Sequence, residues 1–387
     1  MKIFIQTILL VILFTSFTVS QVHHFSVALA GGNEITEQTA GISFFIKIVA
    51  RDSVNGMVDS FTGTVDVSST GNLLEGSGTT DQFTAGILTS NKVKFSNTGL
   101  FEFTVTQTSG TSTGTSNSFL VHAGAPAILQ VESAIDGKGS PIISQSITSG
   151  ENITLYSITR DTLNNFVANI SGATWTVETL SGNVQTSDLV MNADSSSSVF
   201  TGHLSGIGKI HATAINLTGI ASGNITVIPA APSNLIFIQQ PTNGVPGTIL
   251  SPSPIVRITD TFGNYVSSSG RQITLTIPPS QGTLIGTSSK TSDSTGQTMF
   301  TDLYIESFGK KNLLASADSM TTAIGDTFQL DPLIIDASAA THGTIAPSGA
   351  IQLLYGSAQT FFITPDTGYH TDSITVDGIR TDSMFRY

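Results

Sequence analysis

Cysteine is absent from the 387 residues, so no disulfide can staple the chain and no lipidated N-terminal cysteine can anchor it. Charge is scarce as well: 11% of residues carry it, and 15 basic residues against 27 acidic ones leave a net −12. Such a surface repels nucleic-acid phosphates and anionic lipid, and Lys310-Lys311 is the only adjacent basic pair. Neither G-x-G-x-x-G nor a Walker A run occurs, which removes the Gly-rich phosphate loops. After residue 20 there is no helical periodicity; apolar residues alternate instead. The 39% of hydrophobic residues is nevertheless too large a share for disorder, so the chain must bury a core built from strands.

What is present is a repeat. Asp52 to Val58 (DSVNGMV), Asp161 to Val167 (DTLNNFV) and Asp260 to Val266 (DTFGNYV) share the pattern Asp-x-x-x-(Asn/Gly)-x-Val at intervals of 109 and 99 residues. The Asp accepts from backbone N–H groups two residues on, and the Asn or Gly at the fifth position tolerates a positive φ, so Asp52, Gly56, Asp161, Asn165, Asp260 and Asn264 read as turn residues. Alternating strands flank the turns, as at Phe44, Ile46 and Ile48. About forty residues later each copy has a run ending in Phe, at Phe95, Phe200 and Phe300. A glycine and another alternating strand follow, with Phe101 and Phe103 expected in the first core and the lone Trp175 in the second.

Several short strands per repeat predict tandem antiparallel β-sandwich modules, an all-β fold, at 21–124, 125–229 and 230–331, with Pro-containing joints. At about 3.3 Å per strand residue, three modules end to end would make a rod on the order of 100 Å. The remainder, 332–387, is a small partial β-rich repeat in which Asp377-Gly378 signals a hairpin with little chain after it, so the chain is expected to continue beyond Tyr387. Residues 1–20 read as a cleaved signal peptide: Lys2, an apolar run, then Thr18-Val19-Ser20. The mature protein is therefore expected outside the cell or on its surface, without membrane insertion after cleavage.

Chemistry finds little purchase. Gly110-Thr-Ser112-Thr-Gly114 matches the nucleophile elbow, but a strand rather than a helix is expected after it. The seven histidines show no tight ligand spacing. Asp52, Asp161 and Asp260, joined by Asp331 or Asp136, are the calcium candidates; with one acid per turn, ligand count favours the turn role. Asn152, Asn169, Asn216 and Asn224 stand in Asn-x-Ser/Thr, the glycan acceptor pattern of a eukaryotic secretory chain. No catalytic residue and no cofactor are predicted.

The third copy, Asp260 to Val266 followed by Gly296 to Leu303 (GQTMFTDL) and Gly309, resembles the bacterial Ig-like modules of the invasin and intimin type, and the first two copies look like diverged relatives. The tail resembles the divergent internalin-type B-repeat through Gly343 to Gly349 (GTIAPSG), Tyr355-Gly356, Phe361 to Pro365, Gly368-Tyr-His370 and Val376-Asp-Gly378. These resemblances imply a non-catalytic stalk or adhesin whose partners are surface glycans or matrix proteins, with monomeric modules in a longer chain. The alternative is the spacer or carbohydrate-binding region of a larger secreted enzyme such as a polysaccharide hydrolase.

Overall fold

The computed structural model describes residues 21–381; the expected signal peptide at 1–20 lies outside the described residues. Alternation sorts the side chains to two faces throughout. In the Phe44–Arg51 strand Ile46, Ile48 and Ala50 share one face and are inaccessible to solvent, while on the other face Phe45 is exposed and Lys47 half-buried, and only Val49 is covered as well. The helical elements of the described residues are two 3-10 turns, Thr186–Asp188 and Pro279–Gln281. The chain is an all-β tandem of Ig-like β-sandwiches.

Buried apolar residues fall into three separate clusters, reaching from Phe25 to Val121, from Leu129 to Val227 and from Leu235 to Leu330. Each is closed between facing sheets. In the first sandwich the His24–Leu29, Phe44–Arg51, Ile87–Phe95 and Leu73–Glu75 strands oppose Thr113–Thr115, Phe103–Gln107, Val65–Ser69 and Gly78–Thr79. Its centre is aromatic: Phe95 packs on Phe101, Phe103 and Phe119 with ring centroids 5.2, 5.5 and 5.8 Å apart. Full burial of each such ring stabilises the fold by about 1.5–3 kcal/mol.

The second sandwich fills the corresponding space with mostly aliphatic side chains, Phe200 and Trp175; the tryptophan is 3% exposed and donates its indole N–H to the Ser195 carbonyl at 3.0 Å. A buried charge pair lies at one edge of that sandwich. Glu132 is wholly buried and receives Arg160 Nε at 2.5 Å and Nη2 at 2.8 Å, a two-pronged arrangement that satisfies both carboxylate oxygens. The same guanidinium reaches the Asn164 carbonyl inside the next turn, so the pair braces that turn from behind.

Entry and exit strands run side by side in the same direction in every sandwich. In the second, Ile128–Glu132 pairs in parallel with Thr218–Ile220, and Gln145–Thr148 with Ile225–Ile228. The first sandwich has the shorter parallel pairing of Gln38–Thr39 with Phe119–His122, and the third has two parallel bridges, Asn234 to Thr321 and Gly244 to Leu330.

The tail is different in kind. Its described strands form three two-stranded ladders, and Ala337 is the one buried apolar side chain among its described residues, while Ile334, Tyr355, Phe362 and Tyr369 are exposed. Asp377 and Gly378, at φ 49° and 80°, form the tight turn between Ile374–Val376 and Ile379–Thr381. The tail touches the third sandwich where the Tyr355 amide donates to the Pro246 carbonyl at 3.3 Å.

Candidate functional site: the joints between sandwiches

The repeated turn has the same backbone in all three copies. Oδ1 of Asp52 accepts from the amides of Val54 and Gly56, Oδ1 of Asp161 from Leu163 and Asn165, and Oδ1 of Asp260 from Phe262 and Asn264, at 2.7–2.9 Å. The Asp amide donates in return to the carbonyl of the fifth residue. The left-handed residue is the fourth and not the fifth, contrary to the sequence reading: Asn55, Asn164 and Gly263 have φ of 65°, 67° and 88°. The fifth position is therefore free of a backbone demand, and its side chain can serve another end.

In the second and third copies that end is the neighbouring sandwich. Asn165 Nδ2 donates to Oδ2 of Asp161 at 2.9 Å and to the Ser96 carbonyl of the first sandwich at 3.0 Å, while the Gly124 amide in the connecting segment donates to the same Oδ2 at 2.9 Å. Leu163, in the middle of the turn, packs against the first core. The third copy repeats the plan more fully. Oδ2 of Asp260 receives Ser149 Oγ at 2.6 Å, the Ala230 amide at 2.9 Å and Asn264 Nδ2 at 2.8 Å. Asn264 then spans the joint with both ends of its amide, donating to the His203 carbonyl at 2.8 Å and accepting from the Ser205 amide at 2.7 Å. Phe262 takes the position of Leu163 and meets the His203 ring edge-on at 5.4 Å.

Burial matches this bonding. Asp161 is 1% exposed and Asp260 is not exposed at all. Burial alone would push both carboxyls up, but the donors outweigh it and hold both below the usual carboxylate range: Asn165 and Gly124 on Asp161, and Ser149, Asn264 and Ala230 on Asp260. The first copy, with no sandwich against it in the described chain, differs where the argument says it should. Gly56 stands in place of the asparagine, and Val54, the counterpart of Leu163 and Phe262, is 82% exposed.

At the calcium candidates Asp52, Asp161 and Asp260 the carboxylates accept from the turn amides, and those of Asp161 and Asp260 also from donors across the joint. Ser112, in the elbow-like sequence, donates its hydroxyl to the Val22 carbonyl at 2.9 Å and sits before another short strand, Thr113–Thr115. Three histidines meet single carboxylates: His122 with Glu37 at 3.0 Å, His203 with Asp188 at 2.8 Å and His211 with Glu178 at 3.0 Å. Tyr265 has a face covered by the Arg257 guanidinium at 3.8 Å, and Tyr369 stacks on His342 at 4.1 Å. A shallow groove of about 460 Å³ at the first joint, between Leu120 and His122 on one side and Phe166 and Val167 on the other, is open to solvent.

The partners across the joints, Ser96, Ser149, His203, Ser205 and the apolar plugs Leu163 and Phe262, are the residues that sequence reasoning missed. Signals were available only on the turn side of each joint. The third turn residue is apolar in every copy although turns are normally polar, and the fifth carries an amide in the copies that follow another sandwich.

Neither the family models nor the curated proteins include a match to this chain. Solved structures do resemble it. The FdeC adhesin of Escherichia coli is 14% identical, with 79% of this chain and 95% of that one covered at a TM-score of 0.39. InvD of Yersinia pseudotuberculosis is 16% identical over 79% and 97% at 0.29, and the FN1–FN3 domains of chicken CNTN1 are 12% identical over 79% and 97% at 0.30. Bacterial adhesins and an animal protein thus fall side by side. No helix of the described residues is long and apolar enough to cross a membrane.

Proposed function

We propose that this chain is a non-catalytic, exported stalk or adhesin of the bacterial cell surface or the extracellular space, with its sandwiches held in a fixed succession by carboxylate-centred joints. The observation that carries the reading is the second joint: one buried carboxylate and one buried amide tie the end of one sandwich, the connecting segment and the turn of the next into a single bonded unit. A flexible tether needs no such bonds, whereas a spacer that must hold a direction does. The resemblance of the third copy to invasin-type modules agrees with this role, and the tail is read as an internalin-type repeat on the residues quoted above. Surface glycans or matrix proteins are the proposed partners.

Two measurements test the proposal. Small-angle scattering of the full chain should give an elongated particle with a well-defined cross-section, and a compact globule would refute the stalk. Arrays of glycans and of matrix proteins should show binding by the full chain; uniform silence would remove adhesion and leave spacing alone.

A further inference from the structure

We propose that the second sandwich is a tension-bearing element, built so that a pull along the chain loads its entry and exit strands in shear. This rests on the stalk reading and deepens it, since a stalk between a cell and a surface is a stalk under load. The topology supplies the reason. The entry strand crosses from one sheet to the other and the exit strand crosses with it, so the two remain parallel partners over both halves: Ile128 to Gln130 against Thr218 to Ile220, then Gln145 to Thr148 against Ile225 to Ile228.

When parallel partners are drawn apart from opposite ends, their hydrogen bonds are strained together rather than opened one at a time. The Gln145 amide, bonded to the Asn224 carbonyl at 2.9 Å, and the Ser149 amide, bonded to the Ile228 carbonyl at 2.8 Å, belong to this ladder.

The covalent chain draws the exit strand from its Ala230 end and the entry strand from its Ile128 end. Ser149 follows the entry strand and Ala230 follows the exit strand, and both are held by Oδ2 of Asp260, so the joint ties the two strands together at the end where the next sandwich pulls. The first sandwich, with two parallel register pairs, and the third, with two isolated parallel bridges, are less strongly laced and yield sooner.

The test is constant-force unfolding of the full chain tethered by its two ends, where survival is governed by the unfolding rate. Gln145 is exposed on an edge strand, a place that tolerates proline, and Gln145→Pro deletes its amide donor. The longest-lived step should then rupture about fivefold faster, the equivalent of one backbone hydrogen bond. Asn192→Ala, which deletes side-chain bonds to Ser196 and Ser197 in a hairpin outside the parallel pair, should leave that step unchanged.

A second measurement does not depend on the proline variant folding. Because the chain has no cysteine, handles can be attached at Glu151→Cys and Ile228→Cys, which load the same pair from one end; rupture should then need less force than end-to-end pulling. Equal forces in the two directions, no effect of Gln145→Pro, or an equal effect of Asn192→Ala would each overturn the proposal. A chain that binds its partners yet yields at low force refutes tension-bearing alone, and one that ruptures as expected but binds nothing refutes adhesion alone.

Discussion

Asn264 belongs to the third sandwich, but two of its bonds end in the second, so Asn264→Ala should weaken a sandwich to which the residue does not belong. The amide is 5% exposed, and its loss removes the bonds to the His203 carbonyl and from the Ser205 amide. At about 1 kcal/mol net for each, the second sandwich should lose about 2 kcal/mol. With a urea dependence of about 2 kcal/mol/M for a module of this size, its midpoint should fall by about 1 M. The readout is unusually clean because Trp175 is the only tryptophan and lies in the second core, so its fluorescence follows that sandwich alone. Asp293→Ala is the matched control. Its carboxylate is bonded to Thr295 and Gln297 inside the third sandwich, so it should weaken that sandwich without moving the Trp175 transition. A Trp175 midpoint unchanged in Asn264→Ala, or shifted equally in Asp293→Ala, would refute the idea that the turn couples the two units.

Three further outcomes follow from the same geometry. Glu132→Ala leaves Arg160 charged and deprived of its partner at a buried edge, and should cost about 3–5 kcal/mol in the Trp175 transition. Phe103→Ala empties the centre of the first aromatic cluster and should cost about 3–5 kcal/mol by calorimetry, with the Trp175 signal unaffected. The carboxyls of Asp161 and Asp260 are depressed in the folded state, so their contribution is complete above the ordinary carboxylate pKa of about 4 and is lost as pH falls through the folded values; Asp260→Asn should flatten the acid limb of the Trp175 stability profile.

The class of fold was legible because its cause is local: alternation such as Phe44, Ile46 and Ile48 puts one face of a strand inward wherever it occurs, and the repeated turn marks where strands end. The joints were only half legible. Asp161 and Asp260 stood out as repeats, but a turn that needs its Asp for its own amides looks the same in sequence whether or not Oδ2 is also engaged elsewhere. Ser149 and Ser205 gave no signal, since an isolated serine in a Ser-rich chain acquires its role only from the loop that folds over it. The donors that fill these carboxylates are mostly backbone amides, which no composition reveals.

The comparison of the three turns carries the argument furthest. All three hold the same backbone through the same Oδ1 contacts, so turn formation by itself does not require an asparagine at the fifth position; Gly56 serves in the first copy. What changes between copies is the outer half of the motif. Where another sandwich stands against the turn, the third residue touches it, Leu163 on the first core and Phe262 on the His203 ring, and the fifth is an amide that reaches across; where none does, the third residue, Val54, is 82% exposed and the fifth has no side chain. Installing asparagine at Gly56 is therefore expected to leave the first sandwich no more stable, because the new amide would find water instead of a neighbour's carbonyl, and its Cβ would stand 2.8 Å from Oδ2 of Asp52. Replacing Asn165 by glycine should by contrast cost about 1–2 kcal/mol, since the bonds to Ser96 and Asp161 go with it. Equal and opposite effects at the two positions would mean that the fifth residue acts through the turn itself and not through the joint.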